Sequence, residues 1–333
     1  MLLFFVGSVK TFYQILLFVK CENSSKVVIL MNKVTVVGSI NLDTNLRVKR
    51  MVKPGETIHA KEHYSAGGGK GANQAVAASR AGADTTFIGA VGNDAPGKQM
   101  MDLLKEEGID LSGIDTIANE STGQAFITVD DEGENSITIY AGANFAFGPK
   151  EIDQKESLLK DSDFVIAQFE TPIDATIRAF EIAHKNEVKT ILNPAPGEDS
   201  ISADLLKVTD MITPNETEAE TITGVHVEDE VSAKKAAAKL HDLGVEVVII
   251  TIGSKGAFYD FNGTSELVPA FKVHAVDTTA AGDTFIGAMS SVLKANFSNL
   301  KDAILFGNKA SSLTVQRYGA QPSIPYQKEI EVK

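Results

Sequence analysis

The sequence predicts an α/β fold: a mostly parallel central sheet with helices on both faces, in three layers. Two observations carry that expectation. From Met31 onward, short runs rich in β-branched residues alternate with segments of helical period, and the chemically unusual residues collect just after those runs, where open α/β sheets hold ligands. The expected buried strands are Lys33–Val37, Thr85–Gly89, Asp163–Ala167, Lys189–Leu192, Met211–Thr213 and Val245–Ile252. Amphipathic stretches at Gly97–Glu107, Pro172–Asn186, Thr217–Thr223 and Ser232–Leu243 supply helices between them. Two segments break the alternation. Asn45–Tyr64 and Thr122–Tyr140 are extended in character, and Asp-Asp-Glu-Gly-Glu-Asn forms a turn in the middle of the second. They are expected either as a small accessory sheet, a lid that keeps water from a transfer reaction, or as an ordinary edge hairpin. No repeat and no Pro- or Ser-rich linker divides the chain, so 31–333 is expected to be one domain with a lid.

Residues 1–30 stand apart. Leu2–Val19 is mostly apolar, but Lys10 and Gln14 interrupt a run barely long enough to span a bilayer. A secretory signal would need a charged start and a small-residue cleavage site, and Cys21-Glu22 is not one. The segment is therefore expected to be a leader outside the working fold. A net charge of -13, with no basic cluster, speaks against a nucleic-acid partner. With Cys21 the only cysteine, a disulfide framework is excluded and a reducing, cytoplasmic setting is expected, with no membrane partner. Six scattered histidines form no His-Glu-x-x-His pattern, so a zinc site is not expected either. Chemistry on a small molecule is the remaining class.

The strand ends carry the candidates. After the first strand comes Gly38-Ser39-Ile40-Asn41-Leu42-Asp43, and in an extended segment Asn41 and Asp43 point to the same side. An amide beside a carboxylate suits a polyhydroxylated ligand, although both residues are also common in turns. Residues 66–74, Ala-Gly-Gly-Gly-Lys-Gly-Ala-Asn-Gln, invite a phosphate, yet Lys70 is followed by Gly71 and Ala72, where a Walker A loop needs Ser or Thr. A better phosphate cradle is Val276-Asp277-Thr278-Thr279-Ala280-Ala281-Gly282-Asp283-Thr284-Phe285, leading a helix to about Lys294. Small residues at a helix start leave amides free for an anion, and Asp283 beside them is placed either to favour the helix dipole or to accept a hydroxyl proton. Thr213-Pro214-Asn215-Glu216-Thr217-Glu218 reads as a helix cap or as a place where Glu218 steers a hydrated magnesium ion. Thr251-Ile252-Gly253-Ser254-Lys255-Gly256 closes the Val245 strand with a glycine turn that main-chain contact with a ligand could use.

Taken in this order, these motifs closely resemble those of the ribokinases, a branch of the PfkB-type carbohydrate kinases, over about 31–323. Gly-Lys-Gly-Ala-Asn-Gln-Ala, and Ala-Ala-Gly-Asp where many relatives have Gly-Ala-Gly-Asp, mark the branch. The resemblance implies a ribokinase-like sandwich with a lid, and transfer of phosphate from ATP to the 5-hydroxyl of D-ribose. It implies Asn41, Asp43, Gly69, Lys70, Gly71, Ala72, Asn73 and Glu170 as sugar contacts. It implies Asn215, Thr251, Ile252, Gly253, Ser254, Lys255, Gly256, Gly282 and Asn308 as nucleotide contacts, with Glu218 acting on Mg2+ through water. Ala280, Ala281 and Gly282 would form the anion hole, and Asp283 would be the base. A monovalent cation, typically K+, would sit among Asp277, Thr279, Thr314, Arg317, Gly319 and Ser323, and the lid would join two copies as a homodimer. A kinase of 2-deoxyribose or another sugar or nucleoside is the rival within the class. A non-catalytic sugar sensor is the rival outside it, and such a sensor would have no need of Asp283.

Overall fold

Period-two alternation along the strands decides how the chain layers. The computed structural model describes residues 31–198 and 200–331, so the expected leader lies outside the described residues. The strands are β1 (Lys33–Val37), β2 (Asn41–Arg47), β3 (Glu62–Gly68), β4 (Asp84–Gly92), β5 (Asp110–Ile117), β6 (Gly123–Val129), β7 (Asn135–Tyr140), β8 (Phe164–Ala167), β9 (Lys189–Leu192), β10 (Met211–Ile212), β11 (Val247–Thr251), β12 (Gly256–Phe261) and β13 (Thr264–Pro269). One sheet runs β13-β12-β11-β10-β9-β8-β1-β4-β5, and a second runs β3-β2-β6-β7. From β11 across to β5 every pairing in the large sheet is parallel; only β12 and β13 run antiparallel, at one edge.

Val34 and Val36 of β1, Phe164 and Ile166 of β8, and Val247 and Ile249 of β11 enter one apolar core. Their neighbours Val37, Val165, Ala167, Val248 and Ile250 enter the other. Helices Lys70–Arg80, Ala281–Val292 and Leu300–Thr314 close the first core, and Ile173–Lys185 and Glu230–Asp242 close the second. Both faces of the parallel strands are thereby buried, which explains their nearly continuous apolar character in the sequence. Among the described residues, no helix is long and apolar enough to cross a membrane.

The small sheet starts earlier than expected. β2 opens at Asn41, with three residues between it and the end of β1, so the Asn41/Asp43 pair lies on a strand of the small sheet rather than on a loop of the main sheet. Residues 48–61 contain no strand, since Pro54 and Gly55 interrupt the pairing, and β3 runs on into the glycines at 67 and 68. Each strand pair of this sheet is antiparallel except β2 with β6. Helix Lys70–Arg80, strand β5, the β12–β13 hairpin and helix Leu300–Thr314 were not among the expected elements.

Candidate active site

The carboxyl ends of three parallel strands open into one cavity of about 180 Å³. Asn193 and Ala195 follow β9, Thr213 and Asn215 follow β10, and Thr251 ends β11; opposite them lie Lys70, Glu218, Thr278, Ile286 and the run Ala280–Asp283. This is where an α/β sheet is expected to hold its ligand.

The helix Ala281–Val292 brings its N-terminal backbone amides to the cavity. Its cap, Ala280, has φ 59°, a left-handed conformation that L residues other than Gly and Asn rarely take. The Ala281 amide bonds the Thr278 carbonyl at 3.2 Å, and the first turn closes through Thr284 N to Ala280 O at 2.8 Å. The amides of Gly282 and Asp283 have no acceptor among the described residues. Two free N–H groups at the positive end of a helix dipole suit a phosphoryl oxygen. Asp283 is buried beside them, and its two oxygens accept from Asn73 Nδ2 and Gln74 Nε2, each at 3.0 Å.

A further group of polar residues is built around helix Lys70–Arg80. Gly69, its cap, has φ 87°, and a Cβ there would lie 2.9 Å from both the Asn41 amide nitrogen and the Ser39 carbonyl oxygen. The glycine run therefore lets a helix start press against the backbone that carries Asn41. Glu170 Oε2 fixes this junction, accepting from the Lys70 amide at 3.0 Å and from Ser39 Oγ at 2.5 Å. Asn41 Oδ1 accepts from Asn144 Nδ2 at 2.8 Å, leaving its own amide hydrogens for other partners. Burial, then Glu170 and Asp283, push the Asp43 carboxyl up to about 7. For the Lys70 ammonium, burial works downward, but Asp283, Glu170 and Glu218 outweigh it and raise its pKa above the ordinary value. One cation thus stands among three carboxylates at the cavity wall.

Glu218 is both a capping residue and part of the cavity wall. It closes a capping box, accepting from Asn215 N at 2.9 Å and Asn215 Nδ2 at 3.0 Å while its own amide bonds Asn215 Oδ1 at 2.8 Å, and it lines the cavity. Burial holds its carboxyl above the usual range. Thr251 reaches the cavity wall, whereas 252–256 form a turn beside it, with Gly253 at φ 43° and Gly256 at φ 117°. Asn308 lies away from the cavity wall, donating to the carbonyls of Val268 and Pro269 at 3.1 and 3.3 Å.

A second cluster lies at the loop that leads into helix Ala281–Val292. Asp277 Oδ1 accepts from Thr279 N at 2.9 Å and Thr279 Oγ1 at 2.6 Å, and Oδ2 accepts from Gly319 N at 2.8 Å. Burial pushes this carboxyl up, but those three donors outweigh it and hold it below the usual carboxylate range. No lysine, arginine or histidine among the described residues pairs with it. The side chains of Thr314, Arg317 and Ser323 are engaged elsewhere: Thr314 with Thr284 Oγ1, Arg317 with Glu329, and Ser323 with the Ala320 carbonyl. The structure also brings in Ser39, Gln74, Asn144, Gln168 and Asn193, which the sequence reading left out. For Gln168 and Asn193 the signal was available, since each directly follows a strand.

With this geometry in hand, the comparisons are specific. Residues 31–327 match the sequence profile of the pfkB family carbohydrate kinases. The chain is 48% identical to a ribokinase of Staphylococcus aureus over 302 residues, covering 90% of this chain and 99% of that one. It is also 48% identical over 301 residues to a bifunctional ribokinase/ribose-5-phosphate isomerase A of Fructilactobacillus sanfranciscensis, of whose length it spans 56%. The structure of Arabidopsis thaliana ribokinase complexed with ribose and ATP superposes with a TM-score of 0.85 at 35% identity, covering 90% of this chain and 97% of that one. The chain therefore belongs to the pfkB family of carbohydrate kinases.

Proposed function

We propose that this chain is a ribokinase, transferring the γ-phosphoryl group of ATP to the 5-hydroxyl of D-ribose. The observation that carries the reading is Asp283, a buried carboxylate that adjoins two acceptor-free helix amides and, through its effect on Asp43, the hydroxyl-binding face of the lid. The sugar hydroxyls take Asn41 and Asp43 from β2, with Asn73 and Glu170 at the helix start. Asp283 accepts the 5-hydroxyl proton as the oxygen attacks the γ-phosphorus; the new O–P bond forms, the bond to the bridging oxygen breaks, and ADP leaves. The Gly282 and Asp283 amides, with Lys70, stabilise charge on the transferred group. Most of the rate comes from this positioning, because the protein has little covalent chemistry to do.

The site favours cation-assisted binding of a polyanion. Asp283 and Glu218 line the cavity with only Lys70 to oppose them, and among the described residues no cluster of three or more ligating side chains forms a cage. That suits a hydrated magnesium ion carried with the nucleotide and steered by Glu218, which when bound would neutralise phosphate charge. Asp277, ionised and without a cationic partner, fits a monovalent cation such as K+, with Thr279, Gly319 and carbonyls of the 314–323 segment as further oxygens. Dimerisation through the lid is supported by Tyr64, Ile137 and Ile139, which share the Asp43 face of the small sheet and are 45%, 54% and 53% exposed. A cytoplasmic setting accords with the single cysteine.

The test is ADP release with MgATP and a panel of D-ribose, 2-deoxyribose, fructose and adenosine. The proposal requires the highest kcat/KM for ribose. Preference for another member of the panel replaces the substrate, and no turnover with any of them favours a sensor.

A further inference from the structure

Asp283 does not hang free in its cavity. Gln74 gives one Nε2 hydrogen to Asp283 Oδ1 and the other to Asn193 Oδ1, both at 3.0 Å, and its Oε1 accepts from Gln168 Nε2 at 2.6 Å. Asn193 donates onward to the Thr213 carbonyl at 3.2 Å. Gln74 and Gln168 are 0% and 1% exposed, so solvent does not compete for these bonds. Only one orientation of the Gln74 amide satisfies all three contacts; the flipped amide would turn its carbonyl oxygen against the Asp283 carboxylate. Gly38 makes room for this chain of amides, since a Cβ there would lie 2.2 Å from Gln168 Oε1 and 2.8 Å from the Gly71 Cα.

We infer that Gln74, held in register by Gln168, is the positioning residue for Asp283, fixing the orientation of that carboxylate so that a lone pair is directed at the sugar hydroxyl. The inference rests on Asp283 being the base. Donors on both oxygens favour the charged form of a carboxylate and remove its freedom to rotate. The charged groups facing Asp283 are Lys70 from its own helix start, Asp43 from the lid and Glu218 from the opposite wall, with Glu170 beside Lys70. Against that mostly negative surrounding, the amides of Asn73 and Gln74 donate directly to the two Asp283 oxygens. The chain also ties the ends of β8 and β9 to two helix starts, so Asp283 is placed by the sheet as well as by its own helix.

The experiment is the pH dependence of kcat at saturating ribose and MgATP for wild type, Gln74→Met, Gln168→Met and Asp283→Asn, with folding followed by thermal melts. Gln74→Met keeps the volume and removes the donor. It is expected to lower kcat about 10-fold, to move the acid limb up by about half to one pH unit, and to leave both KM values within about threefold. Gln168→Met, which frees the Gln74 amide without deleting it, moves both readouts the same way by less, and it decides the matter if Gln74→Met does not fold. A folded variant with a wild-type acid limb overturns the inference, as does a loss of kcat that only tracks loss of folded protein. If Asp283→Asn keeps wild-type kcat, the base assignment itself falls. An inactive Asp283→Asn beside Gln74 and Gln168 variants with an unmoved limb removes the positioning role alone.

Discussion

Replacing Asp43 by asparagine measures the cost of holding a buried charge on β2. Asp43 is 8% exposed, and burial, followed by Glu170 and Asp283, lifts its carboxyl from 3.8 to about 7. Because the folded-state value lies above the unfolded one, the folded chain is favoured while Asp43 is protonated and loses that advantage as pH climbs from 3.8 through about 7. A rise of that size corresponds to about 4 kcal/mol once Asp43 is fully ionised, of which about 2.5 kcal/mol develops between about pH 5 and pH 8. Asparagine has the same shape and no charge. Urea denaturation of the unliganded proteins across that range should therefore show Asp43→Asn gaining on wild type by about 2–3 kcal/mol, with similar m-values. Asp43→Asn should also bind ribose more weakly, since an acceptor pair for sugar hydroxyls is lost, so the residue exchanges stability for function. A stability gap between the two proteins that stays constant with pH would refute the argument, because it would mean that Asp43 titrates alike in the folded and unfolded chains.

Three further outcomes follow from the site. Asp283→Asn should cut kcat roughly 10²- to 10⁴-fold with small changes in either KM, measured by steady-state kinetics. Lys70→Met should raise KM for ribose more than KM for ATP and also lower kcat, because the ammonium faces Asp283 and Glu218 as well as Glu170; an effect on KM for ATP alone would contradict its placement. Exchanging K+ for a large organic cation should suppress kcat in wild type, and Asp277→Ala should abolish the difference between the two salts, read from initial rates at constant ionic strength.

The legible parts of the fold were those where burial writes a pattern. β1, β8, β9 and β11 are buried on both faces and read as β-branched runs, and Ile173–Lys185 shows an amphipathic stripe because only one face is covered. Helix Lys70–Arg80 shows no such stripe. Residues 71–78 are all buried, and their small side chains permit close packing on helix Ala281–Val292, where a Cβ on Gly287 would sit 2.5 Å from the Ala77 Cβ. With no polar face there is no 3.6-residue period to find, so the segment looked like a loop. β5 escaped notice because only Gly113 along it is buried, which leaves no alternation to read.

The same physics sorted the site residues. Charged residues such as Asp283, at a helix start, and Glu170, shortly after a strand, stand out in a sequence, whereas Gln74 and Gln168 act through uncharged amides whose partners are about a hundred and more residues away. Glu218 shows the limit of motif reading in another way. The capping box and the cavity wall use the same carboxylate, so its capping role does not keep it from facing the cavity.

The central claim is that this chain phosphorylates D-ribose on its 5-hydroxyl at a base held beside helix amides. Phosphorus NMR of the product formed from D-ribose and MgATP tests it most directly. The account predicts one new phosphate monoester, coupled to the two C5 protons, formed in step with ADP and absent with Asp283→Asn. An ester on another carbon, or ATP consumed without any sugar phosphate, would contradict it.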